Sequence, residues 1–137
     1  MTSKDESMKD ELRLLHSQTL FNIGYIFADF DIMRKSISYL KHSVELYPVL
    51  ENLREYVSVL SNYTDPQAYY MIKEALQSGY AENEKFNLFL NRRLAYLLID
   101  YEMYDEAEEV LNKLLANPKT SEFARGELDY IKSLKEQ

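Results

Sequence analysis

Two apolar stripes within residues 20–48 constrain the fold of this 137-residue chain more than any other feature. In each stripe, apolar side chains recur at intervals of three and four, which places them on one face of an α-helix. Ala28-Asp29-Phe30-Asp31 separates the two stripes, and Pro48 disfavours a helical conformation in the residue before it. The stretch therefore predicts two short helices folded back on each other, with Asp31 as the N-cap of the second.

The first of these helices is expected to begin near Ser7 and to run toward Ala28. The preceding residues, 1–6, are predicted to be disordered. Five apolar residues of the helix are expected to face inward: Leu12, Leu15, Leu20, Ile23 and Phe27.

The order of small and large residues in the stretch resembles a tetratricopeptide repeat. That repeat has a bulky residue, a Leu-Gly pair and an aromatic residue in its first helix, a small and a bulky residue in its second, and a final proline. The corresponding residues of this chain have the same spacing: Leu20, Ile23-Gly24, Phe27, Ser36, Leu40 and Pro48. Leu20 stands where the family has Trp, and Ser36 stands where it has Ala. Small residues at such positions let two helices cross closely.

Two later stretches, at about 49–80 and 83–118, follow the pattern of small and large residues less closely. Asp65-Pro66 predicts the start of a helix, because a carboxylate N-cap precedes a proline in the first turn. Gly79 is predicted to end that helix, and Thr120 or Ser121 is predicted to cap the last helix of the chain. The predicted contacts between paired helices depend on five small residues: Gly24, Ser36, Ala68, Ala95 and Ala107.

The resemblance implies an all-α fold, a right-handed α-α superhelix of about three helical hairpins followed by a C-terminal capping helix. Residues 7–137 then form a single domain, with repeats at about 15–48, 49–80 and 83–118 and the capping helix at 121–135. Composition also favours helices, because 3 Gly and 3 Pro are few for a chain with many β-turns.

Charge and hydropathy limit the classes of partner. The net charge is −7, whereas nucleic-acid-binding proteins normally have a basic face. An acidic chain gains nothing at an anionic membrane surface, and no apolar run approaches the length of a membrane span. The chain has no Cys and its first residues are polar, so we predict a cytoplasmic protein with no nucleic-acid or membrane partner.

The sequence contains no motif for catalysis or for a metal or cofactor. His16 and His42 have no second histidine at helical spacing, and the three glycines are isolated, unlike those of phosphate-binding loops. Asp29 and Asp31 are expected in a turn between helices. The acidic run at 102–109 is expected to be a solvated helix face or, alternatively, a docking patch for a basic partner. We therefore predict that the protein is not an enzyme and needs no cofactor.

Tyrosine accounts for 12 of the 137 residues, and Trp is absent. Tyrosine combines a large apolar area with a hydroxyl and few rotatable bonds, which suits both helix contacts and recognition surfaces. The family resemblance implies a concave groove lined by the first helix of each repeat, and it places eight residues there: Phe21, Tyr25, Leu53, Val57, Phe89, Arg92, Arg93 and Tyr96. Some family members grip a terminal carboxylate, but only Arg93 matches their set of residues, so we do not expect that mode.

These observations favour a non-catalytic protein-interaction module that binds a peptide or a partner helix in an apolar, tyrosine-rich groove. A second copy of the chain, in a homodimer, or the chain's own terminal helix is the alternative occupant of the groove. Two other functions stay open on the sequence alone. One is a small acidic secretion chaperone of the repeat type, and the other is a regulatory subunit of an enzyme.

Overall fold

The structure is a computed structural model that describes residues 3–63 and 66–137. Within these residues the fold is all-α, as predicted, and contains no strand. The α-helices are α1 Ser3–Asp29, α2 Met33–Leu46, α3 Leu50–Asn62, α4 Pro66–Leu76, α5 Glu84–Asp100, α6 Tyr104–Leu115 and α7 Ser121–Lys135. A short 3-10 helix, Gly79–Glu82, lies between α4 and α5. No helix in the described ranges is both long enough and apolar enough to cross a membrane.

The helices form two compact units. Unit 1 contains α1, α2 and α3, and α2 packs against both of the other helices. Unit 2 contains α4 to α7, in which α5 packs against α4 and α6, and α6 packs against α7. The second predicted repeat, 49–80, therefore takes α3 from unit 1 and α4 from unit 2.

In unit 1, α1 and α2 pack closely together at Gly24. A Cβ built on Gly24 would lie 2.8 Å from Cγ of Leu40 and 3.2 Å from the backbone nitrogen of Leu40. Ser36, on α2, donates a hydrogen bond from its hydroxyl to the carbonyl oxygen of Gly24, at 2.8 Å. The crossing therefore depends on a missing side chain on one helix and a small hydroxyl on the other. The prediction that Gly24 and Ser36 are buried is confirmed.

A second contact between the helices of unit 1 is polar and completely buried. The Ser17 hydroxyl lies 2.7 Å from the carbonyl oxygen of Ser43 and 3.1 Å from that of Tyr47, to which it can donate. Ser43 returns a hydrogen bond from its hydroxyl to the Ser17 carbonyl oxygen, at 2.7 Å. Asn52, on α3, donates to the Tyr47 carbonyl oxygen at 3.0 Å and accepts from the backbone N–H of Val49 at 2.9 Å. We call Ser17, Ser43 and Asn52 the serine–asparagine cluster; apolar periodicity did not predict it.

The core of unit 2 is apolar. Leu90, Leu98 and Ala95 of α5 are fully buried, as is Leu111 of α6. Ala68, Ala95 and Ala107 all have 0% exposure, so the remaining three small residues are buried as predicted. α4 begins at Pro66, also as predicted, whereas Asp65 lies outside the described residues.

The turns α1–α2 and α5–α6 have the same backbone structure. Asp31 has φ of 58° and Glu102 has φ of 59°, so both lie in the left-handed region just after a helix. The next N–H donates to the carbonyl oxygen five residues earlier, from Ile32 to Phe27 at 2.9 Å and from Met103 to Leu98 at 2.8 Å. With the bonds from Asp31 to Ala28 and from Glu102 to Ile99, both at 3.0 Å, each turn is a Schellman motif.

This turn corrects the predicted role of Asp31. The residue at the N-cap of α2 is Ile32, which forms no side-chain cap hydrogen bond. Asp31 instead follows the end of α1 in a left-handed conformation that few residues other than glycine adopt, although aspartate tolerates it better than most. The backbone of Asp31 therefore ends α1, and its side chain does not cap α2.

Three other boundaries differ from the predicted ones. α1 begins at Ser3, so residues 3–6, predicted to be disordered, are helical, and residues 1 and 2 lie outside the described ranges. α4 ends at Leu76 and Gly79 opens the 3-10 helix, with no positive φ, so Gly79 does not end α4. Thr120 is the residue before α7, but its hydroxyl donates to the Leu114 carbonyl oxygen at 2.7 Å and does not cap that helix.

The predicted inward face of α1 is wrong at two positions. Leu12 and Leu15 are exposed, whereas Leu20, Ile23 and Phe27 are half-buried. α1 is 27 residues long, whereas α2 is only 14. Leu12 and Leu15 lie on the side of α1 away from the buried Ser17.

Candidate functional site

The predicted groove residues of unit 1 differ in accessibility. Phe21 is half-buried and Tyr25 is exposed, and their rings lie 6.0 Å apart on α1. Leu53 is 5% exposed and Val57 is 0% exposed. Both side chains belong to the core of unit 1 and offer a partner no surface in this structure. Tyr25 is therefore the most accessible of the four.

The predicted groove residues of unit 2 all lie on α5, and all four have solvent-accessible surface. Arg92 and Tyr96 are exposed, while Phe89 and Arg93 are half-buried. The guanidinium of Arg93 lies 5.4 Å from the centre of the Phe89 ring. This distance is within the range in which a cation is attracted to an aromatic face. Half of the predicted groove residues thus lie on a single helix, which contributes two guanidinium groups and two rings.

A residue of α7 joins two of these side chains. The guanidinium of Arg92 lies 4.6 Å from the centre of the Phe123 ring, and the Tyr96 ring meets Phe123 edge to face at 5.4 Å. Arg92, Tyr96 and Phe123 are called the arginine–aromatic patch below. Arg92 and Tyr96 each contact Phe123, so the three side chains are already arranged together without a partner.

The charge of Arg92 is not neutralised within the described part of the chain. Arg92 forms no ion pair there, and its contact is the face of the Phe123 ring. Tyr96 is 43% exposed beside it. A carboxylate brought by another molecule can therefore reach a guanidinium that is already oriented, and an apolar group can cover the neighbouring ring.

Sequence reasoning missed Phe123 as a site residue. The groove implied by the family resemblance takes its residues from the first helix of each repeat, which leaves out the last helix. Ala124 and Ile131 are buried on α7, whereas Phe123 is half-buried and Tyr130 is exposed. The seven-residue interval between Phe123 and Tyr130 is the available signal, since residues two turns apart lie on one side of a helix.

A cluster of ionisable groups in unit 2 joins α4 to α6. The Glu106 carboxylate accepts a hydrogen bond from the Tyr69 hydroxyl at 3.1 Å and pairs with the Lys73 ammonium at 2.8 Å. The bond from Lys73 lowers the pKa of Glu106, and the same pair raises the pKa of Lys73. Burial, followed by the bond to Glu106, raises the pKa of Tyr69. These shifts hold Glu106 and Lys73 charged and Tyr69 neutral at pH 7, which is the behaviour of a structural ion pair.

Part of the acidic run at 102–109 is engaged with lysines. Besides Glu106, Glu108 pairs with Lys135 at 2.6 Å, and Asp105 pairs with the same lysine at 3.3 Å. Hydrogen bonding to Glu108 is the main cause of the raised pKa of Lys135. These pairs join α6 to α7. Across residues 3–63 and 66–137, no group of three or more His, Cys, Asp and Glu side chains is arranged to hold a metal ion.

The arginine–aromatic patch combines an exposed ring, Tyr96, with a guanidinium that forms no ion pair within the described residues. No protein-family model, curated protein or solved structure matches the chain.

Proposed function

We propose that the protein is a non-catalytic protein-interaction module whose helical hairpins are divergent tetratricopeptide-like repeats. Two features support this proposal. The turns α1–α2 and α5–α6 share one backbone structure. The small residues Gly24 and Ser36 of the first hairpin correspond to the buried Ala95 and Ala107 of the other, each 71 residues later.

The proposed binding surface in unit 2 is the arginine–aromatic patch, and one observation carries this choice. Arg92 is exposed and lies on the Phe123 ring at 4.6 Å without an ion pair in the described residues. Tyrosine and arginine are the residue types over-represented among those that dominate binding energy at protein interfaces. A guanidinium already stacked on a ring loses little conformational freedom on binding.

The chemistry of the patch favours a particular kind of segment in the partner. A carboxylate side chain of the partner would pair with Arg92, and an apolar side chain next to it would cover Tyr96 and Phe123. The chain carries a net charge of −7, so Arg92 provides a local positive charge on an acidic protein. The same net charge favours a protein partner over a nucleic acid.

The proposal is tested by affinity capture with three forms of the intact protein as bait. The wild type is compared with Arg92→Ala/Tyr96→Ala and with Tyr70→Ala, since Tyr70 is 71% exposed on α4 and lies outside the patch. We expect at least one protein to be retained by the wild type and by Tyr70→Ala but lost from the double variant. If every captured protein is retained equally by all three baits, the patch is not the binding surface.

A captured protein that depends on the patch also reports the ligand chemistry. Peptides spanning its sequence should bind the wild type through a segment that has an acidic residue beside an apolar one. Replacement of that acidic residue by its amide should weaken binding of the peptide to the wild type. The affinity of the peptide for Arg92→Ala should change little, because the carboxylate and the Arg92 guanidinium form one pair. Equal losses in both backgrounds would contradict the proposed pairing.

A further inference from the structure

α1 has apolar side chains on two opposite faces. One face packs within unit 1 through the buried residues Ser17 and Gly24. Leu15 and Ser17 lie about 200° apart around the helix axis, so Leu15 is on the other face. Four apolar side chains of that face are more than half exposed: Met8 at 54%, Leu12 at 60%, Leu15 at 58% and Ile26 at 55%. Monomeric proteins rarely leave several large apolar side chains exposed along one helix face.

The exposed face follows the spacing of a coiled coil. Positions 8, 12, 15, 19, 22 and 26 alternate intervals of four and three residues, as the core positions of a heptad repeat do. Thr19 and Asn22 fill the two positions between Leu15 and Ile26, and both are exposed. We call these six positions the α1 seam. It is separate from the arginine–aromatic patch of unit 2.

We propose that the α1 seam binds a second copy of this chain, with the two α1 helices side by side and parallel. In this arrangement every seam residue meets its own counterpart. Leu12 and Leu15 then form apolar layers, while Thr19 and Asn22 form polar layers in which each side chain faces a hydrogen-bonding group. A single polar core position of this kind fixes the register and number of strands in coiled coils.

The polar positions of the seam favour the parallel arrangement over the antiparallel one. In an antiparallel pair that overlaps along the whole seam, Leu12 meets Asn22 and Leu15 meets Thr19. The Asn22 side chain would then be buried against leucine without a partner, which is unfavourable, whereas the Thr19 hydroxyl donates to the Leu15 carbonyl oxygen of its own helix at 3.0 Å. A helix from another protein would need a polar group at the depth of Asn22, whereas a second copy has one by symmetry.

Charges beside the seam are compatible with self-association. Lys4 and Glu11 lie along one edge of the seam, and Lys9 and His16 lie along the other, so the edges lack the acidic excess of the whole chain. In the parallel pair, Glu11 lies beside His16 of the second copy, as flanking residues of adjacent coiled-coil helices do. Lys4 lies beside Lys9 of the second copy, and this repulsion between exposed side chains is screened by salt.

The size of the seam suits a reversible dimer. Each of its four apolar side chains exposes on the order of 100 Å² of apolar surface. Together with the stems of the flanking lysine and glutamate side chains, two copies would bury about 1,200 Å², at the lower end of specific interfaces. The packed face of α1 lies on the opposite side of the helix, so unit 1 does not obstruct the seam.

Sedimentation of the intact protein across a wide concentration range tests the proposal. The wild type should form a dimer, and Leu12→Glu/Leu15→Glu should weaken self-association by at least about tenfold. Tyr70→Glu/Tyr130→Glu adds the same charge at exposed apolar positions outside the seam and should leave the dimer intact. Circular dichroism should show unchanged helix content, since all four positions are exposed. A wild type that stays monomeric, or a dimer that survives the seam substitutions, overturns the proposal.

The orientation is tested with single cysteines, because the natural chain has none. In the parallel dimer residue 8 meets residue 8, so Met8→Cys should oxidise to a disulfide-linked dimer. Ser7→Cys, one residue away and off the seam, should not. A seam-dependent dimer in which Met8→Cys fails to cross-link, or in which Ser7→Cys cross-links equally well, overturns the parallel arrangement.

Discussion

Gly24 is the residue at which a single added carbon would affect the fold most directly. Its backbone lies against Leu40, which is fully buried, so Leu40 cannot move into solvent to make room. Gly126 in α7 has no atom within 4 Å of the place where a Cβ would be. The two glycines therefore have opposite roles, although both lie in helices.

Gly24→Ala is expected to lower the free energy of unfolding by about 1–3 kcal/mol, because the new Cβ would overpack the α1–α2 crossing. Gly126→Ala is the matched control and should raise it by roughly 0.5–1 kcal/mol, since alanine favours the helix interior. Chemical denaturation followed by circular dichroism measures both changes. Equal effects of the two substitutions would mean that the close approach at Gly24 is unimportant.

The serine–asparagine cluster makes Asn52 the polar side chain on which unit 1 depends most. Asn52→Leu should lower the free energy of unfolding by about 2–3 kcal/mol, because it leaves the Val49 N–H without its acceptor and buries a polar region against a methyl group. Asn112→Leu, at an exposed position of α6, should change it by no more than about 0.5 kcal/mol. A cost below 1 kcal/mol for Asn52→Leu would contradict the importance of the cluster.

Sequence reasoning predicted the small residues correctly and the buried polar residues poorly. Gly24, Ser36 and Ala95 stand at positions where two helices pack closely and only a small side chain fits. The residue type at each position is enough to indicate this constraint. Ser17 and Asn52 look like ordinary surface residues, because their burial depends on partners 26 and 35 residues away in the sequence. Such partners become apparent only when three helices are assembled.

At the scale of the element, the shared turn of the two hairpins places a residue in the left-handed region. Glycine is the usual residue there, but this chain has Asp31 and Glu102. Aspartate adopts this conformation more readily than glutamate, since its short side chain can bond locally. The two turns should therefore respond differently to the same substitution.

Glu102→Gly is expected to raise the free energy of unfolding by about 0.5–1 kcal/mol, because it removes the strain of a positive φ. Asp31→Gly should raise it by less. Thermal and chemical denaturation of the two variants measure the difference. A larger gain at Asp31 than at Glu102 would show that the conformation at these positions does not limit stability.

The helices also show where apolar periodicity is insufficient. For α6 the stripe is single: Ala107, predicted to lie at a helix contact, is buried, and so is Leu111. For α1 the apolar residues encircle the helix, so the pattern does not indicate which face packs internally. The three- and four-residue spacing from which Leu12 and Leu15 were predicted to face inward is equally typical of an exposed apolar helix face.

At the scale of the whole molecule, we propose one binding surface on each unit. Unit 1 has the α1 seam, and unit 2 has the arginine–aromatic patch. The sequence predicted Arg92 and Tyr96 through the family resemblance, but it also included Leu53 and Val57, which are buried. Their burial could not be predicted, because the spacing of residues along a helix does not indicate how far that helix turns its side chains toward the core.

The most direct test of the account is a calorimetric titration of the partner identified by capture into the wild type, Tyr96→Ala and Tyr70→Ala. We predict that Tyr96→Ala lowers the affinity by about fivefold or more, a loss above about 1 kcal/mol, while Tyr70→Ala leaves it unchanged. Equal losses for the two variants, or none for Tyr96→Ala, would contradict the claim that this helical protein acts by binding another protein at the arginine–aromatic patch.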